Sequence, residues 1–205
     1  MVGSRKNELL REVGAARRAV GPLVRERMRE LANNPDHYSE LCFCLLTANY
    51  TAEGGIRIQR EAGDFSKMSL EELRAFLKKC GHRFPNARSA YIHESKRHKK
   101  QLACLSELKS SSERREWLVK NVKGLGYKEA SHFLRNVGYM DVAIVDRHIV
   151  NILAEHGLIK KPKTLTKNKY LGIEKVLGRL AKQAKLSQGE LDFYLWYLKT
   201  GKVLK

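Results

Sequence analysis

Lys128 and Asp146, eighteen residues apart, are two side chains whose neighbours suggest more than solvated charge. An amine attacks carbon only when unprotonated. A lysine at the start of a helix faces the positive end of the backbone dipole, which disfavours its ammonium form, and partial burial acts in the same direction. Lys128 occupies such a place if Ala130, Phe133, Leu134 and Val137 form the apolar face of a helix that opens after Gly126. Asp146 ends the apolar run Val142-Ala143-Ile144-Val145 and precedes Arg147-His148-Ile149, which places it at the start of another helix. An aspartate there is an N-cap on purely structural grounds, a role compatible with catalysis. One helix and a short return fill the interval, so the amine and the carboxylate can line one cleft.

The segment before Lys128 supplies a reason for that cleft to meet a polyanion. Leu118 and Val122 continue an apolar helical face into Gly124-Leu125-Gly126. Two glycines separated by one residue allow a tight turn and a close phosphate approach with no Cβ in the way. The N–H groups of such a hairpin and of the helix start after it form an anion site. A plain αα turn would explain the glycines alone; it leaves the lysine and the aspartate unexplained.

The whole chain agrees with a nucleic-acid partner. Its 205 residues carry 40 Lys and Arg against 22 Asp and Glu, a net charge of +18, which favours phosphate backbones through counterion release. The excess concentrates toward the end, where residues 159–205 hold 12 basic and 3 acidic residues in a helical pattern. With 42% hydrophobic residues and both charge signs interspersed, a disordered basic tail is excluded. Cys42, Cys44, Cys80 and Cys104 form no CxxC pair and read as reduced, buried thiols, so no zinc or iron–sulfur site is expected. No signal peptide or membrane-length apolar run is visible, and a soluble, cytoplasmic, nucleoid-associated monomer is expected.

The elements that must position these groups read as helices from end to end. Ser4 can cap a first amphipathic segment through Leu9, Val13 and Ala16, with Gly21-Pro22 expected to interrupt it before Val24, Met28 and Leu31. Asp36 is a candidate N-cap for the run through Leu46. Ser69-Leu70-Glu71-Glu72 and Ser187-Gln188-Gly189-Glu190 have the spacing of capping boxes, with Gly81 and Gly201 as helix stops. Residues 50–68 and 160–169 read as loops. The expected fold is all-α, with two helical lobes approximated by 36–137 and by 1–35 plus 138–205, a helix-hairpin-helix motif and the active site in the cleft between the lobes.

The hairpin Val122-Lys123-Gly124-Leu125-Gly126-Tyr127-Lys128-Glu129-Ala130 and the block Val145-Asp146-Arg147-His148-Ile149 resemble the helix-hairpin-helix DNA glycosylase superfamily, which includes endonuclease III and the 8-oxoguanine glycosylases. By that resemblance Lys128 marks a bifunctional glycosylase/AP lyase acting through a Schiff base and β-elimination. Asp146 would stabilise positive charge on the sugar and help deprotonate Lys128. Gly124 and Gly126 would grip DNA, and the hairpin carbonyls of such proteins often hold a monovalent cation. Asn49, in Leu46-Thr47-Ala48-Asn49, matches a polar wedge that fills the gap of an extruded base, with a helix C-terminal asparagine as the plain alternative. His148 matches a phosphate-contacting histidine, or is a buried structural one.

The small size, the lack of any cysteine after Cys104 and the ending Leu195-Trp196…Lys205 resemble the second, archaeal and bacterial class of 8-oxoguanine glycosylases. The likeness implies that Trp196 stacks on the flipped purine, that the Lys205 carboxylate accepts from its edge, and by position that Phe84 covers its other face. An acceptor is what sensing the N7–H peculiar to the lesion requires. A core tryptophan and a frayed terminal lysine are the structural alternatives. The expected partner is double-stranded DNA with a damaged base, with no cofactor. Excision of an oxidised pyrimidine by the same chemistry, and a non-catalytic DNA-binding module, remain alternatives.

Overall fold

A computed structural model of the chain describes residues 2–205, with side chains from residue 5 onward; the side chain of Ser4, the expected cap, lies outside the described residues. The helices are α1 (Val2–Ala32), α2 (His37–Thr47), α3 (Ala52–Ala62), α4 (Leu70–Lys79), α5 (Pro85–Ser95), α6 (Lys99–Ala103), α7 (Ser111–Asn121), α8 (Tyr127–Asn136), α9 (Arg147–Glu155), α10 (Lys167–Ala184) and α11 (Gln188–Thr200), and no strand occurs among the described residues. They fall into two compact units, residues 34–137 and the segments before Asn34 and after Val137. None of these helices is long and apolar enough to cross a membrane.

In the unit 34–137, α2 is the hub. Tyr38 and every residue from Glu40 to Thr47 are buried, and α3, α5, α6 and α8 pack around it. A helix apolar on all sides is stable only when enclosed in this way. The buried Glu40 carboxylate accepts from Asn136 Nδ2 at 2.6 Å and Asn34 Nδ2 at 3.3 Å. Those bonds satisfy polar atoms that would otherwise be costly to bury, and the first ties α8 to the hub. Asp36 caps α2 as expected, and Ser69 with Glu72 completes both halves of a capping box on α4.

In the other unit, α11 packs against α1, α9 and α10, with Leu191, Phe193, Tyr194 and Leu195 buried. Tyr170 of α10 donates its hydroxyl to Ala143 O at 2.7 Å and accepts from Val145 N at 3.2 Å, while Glu174 accepts from Ala143 N at 3.1 Å. The extended segment that leads to Asp146 is thereby held along one side of α10. Ser187 caps α11 through Glu190 N, but the Glu190 side chain accepts from Tyr194 instead of closing the box.

Three expectations are corrected. Gly21-Pro22 does not interrupt α1, which runs through Pro22 without a break. The proline removes a donor and crowds the carbonyl four residues back; Pro22 and Arg18 are both exposed, so that carbonyl faces solvent, while Val24 and Leu31 keep the inner face buried. Residues 50–68 are not a loop, since they contain α3. Thr51 caps it, and Gly54 and Gly55 sit where a Cβ would approach Tyr50 and Thr47 to 2.4 and 2.8 Å. Cys42, Cys44 and Cys80 are buried, but Cys104 is exposed.

Candidate functional site

The helices α7 and α8 enclose the hairpin. Leu118, Val122 and Leu125 are buried and Leu125 N–H closes the turn on Val122 O at 3.2 Å, while Lys123 and Gly126 are exposed. Gly124 has φ +89, and a Cβ there would stand 2.4 Å from Tyr91 Cδ2. Glycine is required twice over, by backbone and by packing. Tyr127 reaches back to Glu116 of α7, and the Arg115 guanidinium lies 5.4 Å from the Tyr127 ring centroid, which ties the hairpin's two sides together.

Gly126 is the N-cap of α8. It has no side chain with which to cap. Glu129 instead turns back, its Oε2 accepting from Gly126 N at 3.2 Å. The helix start thus takes no bond from an N-cap side chain, although the Glu129 carboxylate occupies the Gly126 N–H. Lys128 is the second residue of this helix. Its side chain is 26% exposed, with Nζ 3.8 Å from Glu129 Oε1. The amine is reachable and lies next to the hairpin backbone.

Asn49 lies just past α2, exposed, with φ +59. Asparagine is among the few non-glycine residues that tolerate this conformation. His82 and Arg88 hold the preceding backbone: His82 Nε2 is 3.0 Å from Leu46 O, and Arg88 Nη2 donates to Ala48 O at 2.7 Å. The His82 Nδ1 accepts from Phe84 N–H at 3.0 Å, so the proton sits on Nε2. Burial lowers the pKa of His82, and it lowers that of Arg88 as well. Phe84 is 37% exposed, with the Arg83 guanidinium 5.0 Å from its ring centroid.

The other unit carries Asp146, His148, Trp196 and Lys205. Asp146 is half-buried and is the N-cap of α9. Its Oδ1 accepts from His148 N at 2.8 Å and from Ile149 N at 2.9 Å, and Oδ2 has no hydrogen-bond partner among the described residues. Capping thus engages one carboxylate oxygen and leaves the other unused. His148 is not buried among core side chains; its ring packs edge-to-face on Trp196, with centroids 5.0 Å apart. Trp196 is half-buried, yet its Nε1–H is buried without a hydrogen-bond partner, an unmet donor of the kind a ligand satisfies. Lys205 is half-buried and makes contacts within the protein. It does not extend freely into solvent.

The structure therefore brings Gly124, Gly126 and Lys128 together in one unit, and His148 with Trp196 in the other. Arg88, His82 and Tyr91, which support Asn49 and Gly124, were not evident from the sequence. Their roles depend on contacts 33 to 40 residues away, and nothing in His82-Arg83-Phe84-Pro85 announces them. No group of three or more His, Cys, Asp or Glu side chains placed to hold a metal ion occurs among the described residues.

Residues 24–186 match the family described as 8-oxoguanine DNA glycosylase. The chain is 47% identical over 97% of both chains to the 8-oxoguanine DNA glycosylase/AP lyase of Korarchaeum cryptofilum, and 53% identical over 84% of both chains to that of Methanocaldococcus jannaschii. Among solved structures, it is similar to the M. jannaschii 8-oxoguanine glycosylase/lyase in complex with a 15mer DNA containing 8-oxoguanine, with a TM-score of 0.93, 46% identity and coverage of 97% of this chain and 100% of that one. The 8-oxoguanine DNA glycosylase of Thermotoga maritima gives 0.92 at 43% identity, over 98% and 100%.

Proposed function

The chain belongs to the 8-oxoguanine DNA glycosylase family, and from that premise we propose that it excises 8-oxoguanine from duplex DNA and cleaves the strand as an AP lyase in base excision repair. The observation that carries this reading is likeness to glycosylase/AP lyases over 97% of this chain.

The target nucleotide first leaves the stack, because C1′ is otherwise out of reach. Lys128 Nζ, neutral after giving up a proton, forms a bond to C1′ as the C1′–N9 bond breaks, and the electron pair leaves with the base. Opening of the sugar ring gives a protonated Schiff base on Lys128. That cation acidifies C2′–H, and loss of the proton expels the 3′ phosphate by β-elimination. The Asp146 carboxylate is the proposed acceptor of the lysine proton and stabilises the cationic sugar, acting through Oδ2 while Oδ1 stays on α9. These steps use side chains alone, and no cofactor or iron–sulfur cluster is needed.

Gly124, Gly126 and the start of α8 are the proposed grip on the DNA backbone, with the hairpin carbonyls available to a monovalent cation. The His148 ring is proposed to meet a phosphate. Asn49 is the proposed wedge, supported by its exposed, left-handed placement. For the base, Trp196 and Phe84 are the proposed aromatics that cover the purine faces, each with ring surface left accessible. The Lys205 carboxylate accepts from N7–H. The setting proposed is the cytoplasm, at the nucleoid.

Borohydride trapping on a panel of duplexes, each bearing one lesion, tests the assignment. A covalent complex should form with 8-oxoguanine at far lower enzyme concentration than with unmodified guanine or an oxidised pyrimidine. Preference for the oxidised pyrimidine would transfer the same chemistry to another base, and binding without trapping would reduce the protein to a DNA-binding module. Extending the chain beyond Lys205 should erase discrimination against guanine; unchanged selectivity would remove the carboxylate from the pocket.

A further inference from the structure

The side chain of Arg88 is an unusual buried cation. Only 8% of the residue is exposed, and the recorded hydrogen bond of its guanidinium goes to a carbonyl, Ala48 O, at 2.7 Å. Burying a guanidinium is costly; its hydrogen bond goes to a neutral acceptor, and the Glu129 carboxylate favours its charge only through space. Such a group is retained where its geometry matters. The geometry here is specific on two sides. On one side, Ala48 immediately precedes Asn49, whose φ of +59 projects it from the end of α2. On the other, the guanidinium carbon lies 5.6 Å from the centroid of the Tyr91 ring, one turn further along α5.

The Tyr91 ring fills the space beneath Gly124, so closely that a Cβ on that glycine would fall 2.4 Å from it. A continuous path of packed groups thus runs from the Asn49 turn through Arg88 and Tyr91 to the hairpin. The turn is fixed at neighbouring points as well. His82 holds Leu46 O, the Tyr50 ring packs on the His82 ring with centroids 4.3 Å apart, and Thr51 caps α3 through Gly54 N at 3.1 Å. Within this set Ala48 and His82 are buried, whereas Asn49 and the capping Thr51 are exposed.

We propose that Arg88 is a positioning residue for base extrusion, holding the Asn49 turn in register with the backbone-gripping hairpin by bonding Ala48 O and stacking on Tyr91. Phosphates taken by the hairpin then fix where Asn49 enters the duplex, because α5 is a rigid spacer between the two. This inference rests on the reading of Asn49 as the wedge, and its test separates the two.

The experiment is a double-mutant cycle on single-turnover excision of 8-oxoguanine from a duplex, run beside β-elimination at a preformed abasic site. The second reaction requires no base to be pushed from the stack. Asn49→Ala and Arg88→Met should each slow excision about tenfold, and the double variant should also be about tenfold slow, where independent sites would give about a hundredfold. Elimination at the abasic site should fall by a smaller factor in every variant. Arg88→Lys, which keeps the charge and one donor direction, should lie between wild type and Arg88→Met. It supplies the same cycle if the methionine variant does not fold. A silent Asn49→Ala would overturn the wedge reading and this proposal with it. A slow Asn49→Ala beside a silent Arg88→Met, a multiplicative double variant, or equal losses in both reactions would overturn the role of Arg88 alone.

Discussion

Helices α8 and α9 each carry a residue of the proposed chemistry near their start, and they begin in opposite ways. The start of α8 rests on Gly126, takes no side-chain cap, and carries Lys128 as a partly exposed arm beside the hairpin. The start of α9 is the proposed chemical residue itself, with Asp146 Oδ1 bonded to two backbone amides. A nucleophile must travel toward carbon, form a bond and later be released, so it benefits from a long side chain. A carboxylate that stabilises charge must stay where the charge develops, and the cap holds it there without reorganisation. Mobility and fixity are divided between the two helix starts.

The division can be broken most severely at Lys128. Lys128→Gln should abolish borohydride trapping and lower strand cleavage by about a thousandfold or more, while α8 and duplex binding persist. A variant that still traps would take the nucleophile's role from Lys128. Next in size is Asp146→Asn. Asparagine caps a helix about as well as aspartate, so thermal stability should hold while turnover falls by roughly a hundred- to a thousandfold. Asp146→Ala should lose the same turnover and in addition about 1 kcal/mol of stability. Equal melting temperatures for Asn and Ala would show that the cap contributes nothing.

Gly124→Ala probes the hairpin side of the contrast. With φ at +89 and the Tyr91 ring in the way, it should destabilise by about 2 kcal/mol and weaken binding to undamaged duplex as well. Melting and salt-dependent affinity measure both effects; an unshifted melting curve would show that the hairpin repacks freely. The smallest effect concerns pH. His82 is held neutral by burial, so its folded-state pKa lies below its unfolded value. The stability linked to that shift is present above the unfolded histidine range of about 6.5 and is lost as pH falls through it toward the lower folded value. Melting temperature should therefore decline on acidification from pH ~7.5 to ~5.5 more steeply in wild type than in His82→Gln. Parallel slopes would assign the decline to other groups.

The helical periodicity and the capping residues were legible in the sequence because both are local. Ser69 and Glu72 read as a box and form one, and Gly81 and Gly201 stop their helices with positive φ. The continuous α1 was not legible, because whether Pro22 breaks a helix depends on which side faces solvent. Likewise Gly54-Gly55 signals a loop until Tyr50 and Thr47 occupy the space their side chains would need. The hairpin glycines could be read, but not the tyrosine beneath Gly124. The capping role of Asp146 could be read as compatible with catalysis, but that the cap engages one carboxylate oxygen alone could not.

Asn49 carries a last consequence. A left-handed backbone costs an L-residue about 1 kcal/mol or more, somewhat less for asparagine, and glycine would stand there without it. That cost is borne in the resting protein, in every folded copy, with no DNA in reach. The turn is therefore already shaped when a duplex arrives, and the conformational entropy of ordering it does not weigh against each encounter. A repair protein that must inspect many intact base pairs for each damaged one meets the cost once, at folding, and not at every site it visits.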